Sequence, residues 1–145
     1  MIQAKGNDMG RFSVEIEVAN NVDVQKSLDG ELPSENVRRM SIRGVVDTGA
    51  TRLVIPESVA ERLGVRSVGS ASVRYADGRT AQRGMVGNIH LTCLGRSSIF
   101  NAIVEPDRES ALIGAIVLED LDFVADGSSQ RLSPRDPRQI VSEIE

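Results

Sequence analysis

Along the first third of the chain, hydrophobic and polar positions alternate. Phe12, Val14, Ile16 and Val18 are separated by Ser13, Glu15 and Glu17, the two-residue period of a strand with one buried face. The alternation stops after Ala19, where Asn20-Asn21 reads as a breaker. The mainly polar stretch from Asn20 to Asn36, with Gly30 and Pro33, predicts a long mobile loop. Met40 and Ile42 alternate with Arg39, Ser41 and Arg43, and Gly44 relaxes the strand before the apolar pair Val45-Val46. Leu53-Val54-Ile55 predicts a short buried strand, and further strands are expected at Gly87 to Cys93 and Ile99 to Val104.

Helical signals are few. Pro56 suits a first helical turn, Glu57 complements the N-terminal dipole and Gly64 fits the exit of a helix ending near Leu63. A second helix is expected from Ala115 to Leu121, then a strand at Phe123-Val124-Ala125, a turn at Asp126-Gly127 and a return at Arg131-Leu132. The tail from Pro134 to Glu145 predicts either a short helix from about Pro137 or a frayed end. Val73 and Tyr75 lead into Ala76-Asp77-Gly78-Arg79, and Thr80 to Met85 lead away. Asp-Gly between strand-like arms is a hairpin turn signal.

Composition narrows the picture. At 145 residues, one domain covering 1–145 is the simplest organisation, with its core at about 10–133. Aromatic residues are 3% of the chain, so the core must come from Val, Ile, Leu, Met and Ala. A formal charge of −4 without a basic cluster argues against a nucleic-acid partner. Cys93 is the only cysteine, which excludes an intrachain disulfide and fits a reducing compartment. No apolar run is long enough to span a bilayer and the N-terminus lacks a basic-then-apolar leader pattern, so a cytoplasmic protein without membrane association is expected.

The chemistry concentrates in Val45-Val46-Asp47-Thr48-Gly49-Ala50, where a buried strand delivers a carboxylate to a tight turn. Burying a carboxylate is costly unless it is paired, so an acid placed there is a candidate for function. A second element follows far downstream, Ala111-Leu112-Ile113-Gly114, with the helix-like Ala115 to Leu121 behind it. In this order and separation the two elements resemble the retropepsin-like aspartic proteases, the retroviral-type peptidases and their cellular relatives. The resemblance covers most of Met40 to Leu132.

That resemblance implies a mainly-β acid-protease fold: a small, closed, barrel-like domain with a flap hairpin and one or two short helices. It implies an aspartic endopeptidase with Asp47 as the catalytic residue and no cofactor. Peptide hydrolysis without a covalent intermediate needs one group to activate water and another to protonate the substrate, a task for two carboxyls sharing a proton. No second Asp-Thr/Ser-Gly occurs, so the resemblance implies a homodimer in which each protomer supplies its Asp47. Thr48 would then bond across the dimer axis, the Gly49 amide would orient the carboxylate and Ala50 would line the groove floor. Leu112, Ile113 and Gly114 would support the turn from beneath. The hairpin from Tyr75 to Gly84, with Tyr75, Ala76, Asp77, Gly78 and Arg79 toward its tip, takes the place of the flap over a peptide or protein substrate.

The chain departs from the viral pattern at two places. An acid usually follows the Asp-Thr-Gly-Ala run and an Arg follows the later Gly, whereas Thr51 and Ala115 stand here. Both partners of an ion pair are absent together, which resembles the cellular and bacterial branch. Arg52 beside the motif is a solvated cation or a substrate contact. His90 has no second ligand at metal spacing, and Cys93 three residues on would face away from it as a small core residue. Asp120 and Asp122 read as solvated acids near a helix end. The alternative function is a catalytically silent protease-like module for dimerisation or peptide binding, and a small β domain with a chance Asp-Thr-Gly turn is a third reading.

Overall fold

The computed structural model describes residues 11–145. The expected core boundary near residue 10 and the expected lack of an N-terminal leader pattern concern residues outside that range. Strand β1 (Arg11–Asn20) buries Ile16 and Val18 and exposes Ser13 and Glu15, as its alternation requires. It pairs antiparallel with β2 (Arg39–Asp47).

Six strands close into a barrel. β2 runs parallel to the three-residue β7 (Ala111–Ile113), which also touches β3 (Leu53–Pro56). β3 pairs with β6 (Arg96–Glu105), β6 with the long β5 (Thr80–Cys93), and β5 returns to β1. β4 (Ser67–Arg74) lies outside the ring, paired only with β5 as the other arm of a hairpin. β8 (Phe123–Asp126) and β9 (Arg131–Pro134) form a separate ribbon. The mainly-β, closed-barrel expectation is met. The barrel is filled by aliphatic side chains such as Ile16, Leu53, Ile55, Ile89 and Leu91, with Phe100 and Phe123 as its buried aromatics. Among the described residues no methionine is buried in it; Met40 packs only at its margin.

Two expected helices form where the signals lie. α2 (Glu57–Leu63) starts after Pro56 and ends at Gly64, whose φ of +65° gives the left-handed exit that favours glycine. α3 (Ala115–Asp120) follows Gly114 directly. No helix among the described residues is long and apolar enough to cross a membrane.

Three expectations fail. The predicted mobile loop from 20 to 36 is a helix, α1 (Asn21–Leu28), followed by a single 3-10 turn at Ser34–Asn36. Asn20 is its cap and not a breaker, because its Oδ1 accepts the Asp23 amide at 3.2 Å. Its Nδ2 donates to the Leu63 carbonyl at 2.8 Å, tying α1 to the end of α2. Buried Asp23 accepts three bonds from Arg38: the backbone amide at 3.0 Å, Nε at 2.8 Å and an Nη at 3.0 Å. The Arg38 side chain holds the Asp23 carboxyl below its usual range. Polar anchors, rather than an apolar stripe, hold this helix.

The other two failures meet at one residue. Asp122 is buried rather than solvated, accepting from Arg135 Nε at 2.7 Å and from the Val141 amide at 2.9 Å. The Val141 amide, then Arg135, lower its pKa. The tail consequently forms neither a helix nor a frayed end up to Val141. Arg96 also reaches it, donating to the Asp136 carbonyl at 2.5 Å.

Candidate active site

β2 ends at Asp47, and the chain turns at once: the Ala50 amide donates to the Asp47 carbonyl at 3.1 Å. Within that turn the Gly49 amide donates to Asp47 Oδ1 at 2.9 Å, fixing one carboxylate oxygen. The other, Oδ2, lies 3.5 Å from Arg11 Nε, because the β1–β2 register sets Arg11 opposite Asp47. The Asp47 side chain is about a quarter exposed. Thr48 is exposed beside it.

The later Leu112-Ile113-Gly114 element lies under this turn. Val45 and Val46 pair with Leu112 and Ile113, and Val54 on the far side pairs with Leu112. Ala115 and Ile116 donate their amides to the carbonyls of Ala50 and Thr51 at 2.8 and 2.9 Å. A Cβ on Gly114 would stand 2.5 Å from the Arg52 carbonyl oxygen and 2.7 Å from the Thr51 carbonyl carbon. Only glycine admits that approach of two backbones, so the acid-bearing turn rests on a fixed base.

A cavity of 590 Å³ opens from this turn. Gly49, Ala50, Val54 and Leu112 line it on the barrel side, and Val73 and Tyr75 of the hairpin line it opposite. Asp47 itself is outside that lining. The hairpin turn forms as expected from Ala76-Asp77-Gly78-Arg79. Tyr75 donates its amide to the Arg79 carbonyl at 2.8 Å, and Gly78 adopts a φ of +90°. Arg79 caps Asp77 with its amide and Nε, and its guanidinium stacks 5.1 Å from the Tyr75 ring centre. The Arg79 amide, then its side chain, depress the Asp77 pKa.

Sequence reasoning missed what ties the hairpin to the barrel. Tyr75 Oη donates to Glu105 Oε2 at 2.6 Å, and Arg83 Nε donates to Glu105 Oε1 at 2.8 Å. The bond to the carboxylate raises the Tyr75 pKa. Arg11 was missed as well. Neither Glu105 nor Arg11 lies near its partner in the chain, and only the strand register reveals them. Arg52 is exposed and lines the cavity mouth. His90 is half-buried on β5, whereas Cys93 is buried in the core and its thiol is pushed up to about 11 by burial. Among the described residues no cluster of potential metal ligands occurs.

Comparison with known proteins gives this geometry a family. The family model described as "gag-polyprotein putative aspartyl protease" matches residues 36–120, more than half of the chain. The solved structure of EIAV protease complexed with the inhibitor HBY-793 is similar at a TM-score of 0.55 and 17% identity, covering 77% of this chain and 88% of that one. At that identity the likeness shows the fold. Simian Foamy Virus (mac) protease is similar at a TM-score of 0.48 and 16% identity, covering 74% and 91% of the two chains. A foamy viral protease-reverse transcriptase in complex with RNA/DNA hybrid reaches 0.46 at 20% identity, covering 54% and 10%. No curated protein matches the sequence. With Asp47-Thr48-Gly49 and Leu112-Ile113-Gly114 both inside the matched span, on a closed barrel of the same fold, the chain belongs to the gag-polyprotein aspartyl protease family, the retropepsin-like aspartic-type hydrolases.

Proposed function

We propose that this chain is a single-domain aspartic endopeptidase, active as a homodimer in which the Asp47 carboxyls of two protomers form the catalytic dyad. The observation that carries this reading is the placement of Asp47. Its carboxylate is held by the Gly49 amide at the end of a barrel strand, next to the turn that lines a 590 Å³ groove, yet the side chain is still about a quarter exposed. One acid so placed cannot be base and acid at once. The groove's own acids offer no substitute, since Glu105 is engaged by Tyr75 and Arg83 and Asp107 is exposed on the loop beyond β6. A second copy meeting the partly exposed carboxylate supplies the missing carboxyl.

In the dimer two adjacent carboxyls hold one proton between them. The ionised member takes a proton from a water as its oxygen attacks the peptide carbonyl carbon. The protonated member donates to the carbonyl oxygen, and the resulting diol collapses with proton transfer to the amine nitrogen, breaking the C–N bond. Thr48 braces the two turns across the axis, while Ala50, Leu112, Ile113 and Gly114 hold the floor. The hairpin from Tyr75 to Gly84 is the flap that closes over an extended peptide. A cytoplasmic setting belongs to the same proposal and rests on the single cysteine, Cys93.

Cleavage of a diverse peptide library across pH, with wild type and Asp47→Asn side by side, tests the reading. Wild type is expected to cleave in mildly acidic buffer and the variant to lose at least about 10³-fold in rate while remaining folded. Cleavage by the variant at the wild-type rate would sink the assignment.

A further inference from the structure

The groove beside Asp47 carries more cations than it can pair. Arg52, Arg74 and Arg108 line it, against Glu105 and Asp107. Glu105 is already held by Arg83 and Tyr75, so it offers little to the groove cations. Arg52 and Arg74 are exposed and well hydrated, whereas Arg108 is half-buried. Its Nε donates to the Ser110 carbonyl at 2.9 Å and an Nη to Ser110 Oγ at 3.2 Å, both neutral acceptors. Arg108 forms no ion pair with any described residue, unlike the half-buried Arg83.

A guanidinium that has lost part of its hydration without gaining a carboxylate is poised to receive one, and its fork geometry suits bidentate pairing. Resting on the protease reading above, we propose that Arg108 is a specificity-determining residue that receives a substrate carboxylate, so that this enzyme prefers peptides with Asp or Glu close to the scissile bond. Burial pushes the Arg108 pKa down, the like charges of Arg11 and Arg43 add to this, and Glu105 and Asp47 pull the other way. An incoming carboxylate relieves the excess positive charge. A carboxylate also comes from a free peptide C-terminus, and the groove chemistry is the same for both. An internal acidic side chain is the source proposed here, because Arg108 shares one cavity lining with Gly49 and Ala50 of the acid-bearing turn.

The test uses fluorescent decapeptides carrying Glu at successive positions, each paired with its Gln counterpart and made with free or amidated C-termini. Binding is read by anisotropy on Asp47→Asn protein, alone and combined with Arg108→Gln or Arg108→Lys. Cleavage of the same peptides by wild type is measured in parallel. At one register Glu is expected to bind about tenfold tighter than Gln whether or not the terminus is amidated. Arg108→Gln should bring that ratio to about 1, and Arg108→Lys should restore part of it. Equal binding of Glu and Gln peptides overturns the proposal. A preference that survives Arg108→Gln, or one seen only with free C-termini, overturns it too. If the binding preference holds and no Asp47-dependent cleavage appears, the protease reading fails while Arg108 keeps its role.

Discussion

Two residues decide whether the candidate site is rigid: Asp47, which carries the charge, and Gly114, which carries nothing. The Gly49 amide fixes one Asp47 oxygen, and the exposed pair with Arg11 at 3.5 Å adds little stability of its own, on the order of 0.5 kcal/mol. Gly114 matters by absence, since a Cβ there would sit 2.5 Å from the Arg52 carbonyl oxygen, so that backbone would have to shift. Gly114→Ala is therefore expected to cost about 3 kcal/mol, at the upper end for overpacking, and to lower the melting temperature by roughly 10 °C. It should cost activity beyond the lost stability, because the strain falls on the Thr51-Arg52 backbone behind the acid. A thermal melt of Gly114→Ala indistinguishable from wild type would remove glycine's close approach from the account.

At the level of elements, legibility in the sequence followed the locality of the signal. The hairpin was readable because Asp77-Gly78 and its alternating arms lie within one short stretch, and α2 because Pro56, Glu57 and Gly64 mark both ends. The apolar lead into Asp47 and the later Leu112-Ile113-Gly114 were readable as separate pieces, and their resemblance to one family placed them together. What was not readable depends on partners distant in sequence. α1 has no apolar stripe, and its anchors are Leu63 for Asn20 and Arg38 for Asp23. Asp122 looked solvated because Val141 and Arg135 are brought to it only by the fold. Glu105 had no local motif at all, its partners Tyr75 and Arg83 lying on the hairpin. Asn20→Ala should consequently destabilise by about 2 kcal/mol, combining loss of the cap with an unsatisfied buried Leu63 carbonyl. Denaturant midpoints report the total, and hydrogen exchange should show α1 opening first. Loss of less than a few tenths of a kcal/mol would return this segment to the mobile loop its composition suggests.

Across the whole molecule, two buried carboxylates link stability to pH. Arg38 holds Asp23 below its ordinary value, and the Val141 amide with Arg135 does the same for Asp122. A depressed folded-state pKa means that the stabilisation is complete above the unfolded-state value of about 3.9 and is lost as pH falls through the lower folded-state value. Urea midpoints are expected to be flat near neutrality and to fall steeply below about pH 4. Asp23→Asn and Asp122→Asn should each be less stable at pH 7 and show a shallower acid limb. An acid limb of unchanged slope in both variants would assign acid sensitivity to other groups.

The central claim is that one active site needs two copies of Asp47, and subunit mixing tests it most directly. Wild-type protein is combined with increasing Asp47→Asn protein at constant total concentration, allowed to exchange, and assayed on one cleaved peptide. If each site requires an intact Asp47 from both protomers, activity falls as the square of the wild-type fraction, to about one quarter in an equal mixture. A fall in simple proportion to the wild-type fraction, to one half in the equal mixture, would mean that a single chain carries the whole site and would contradict the shared dyad.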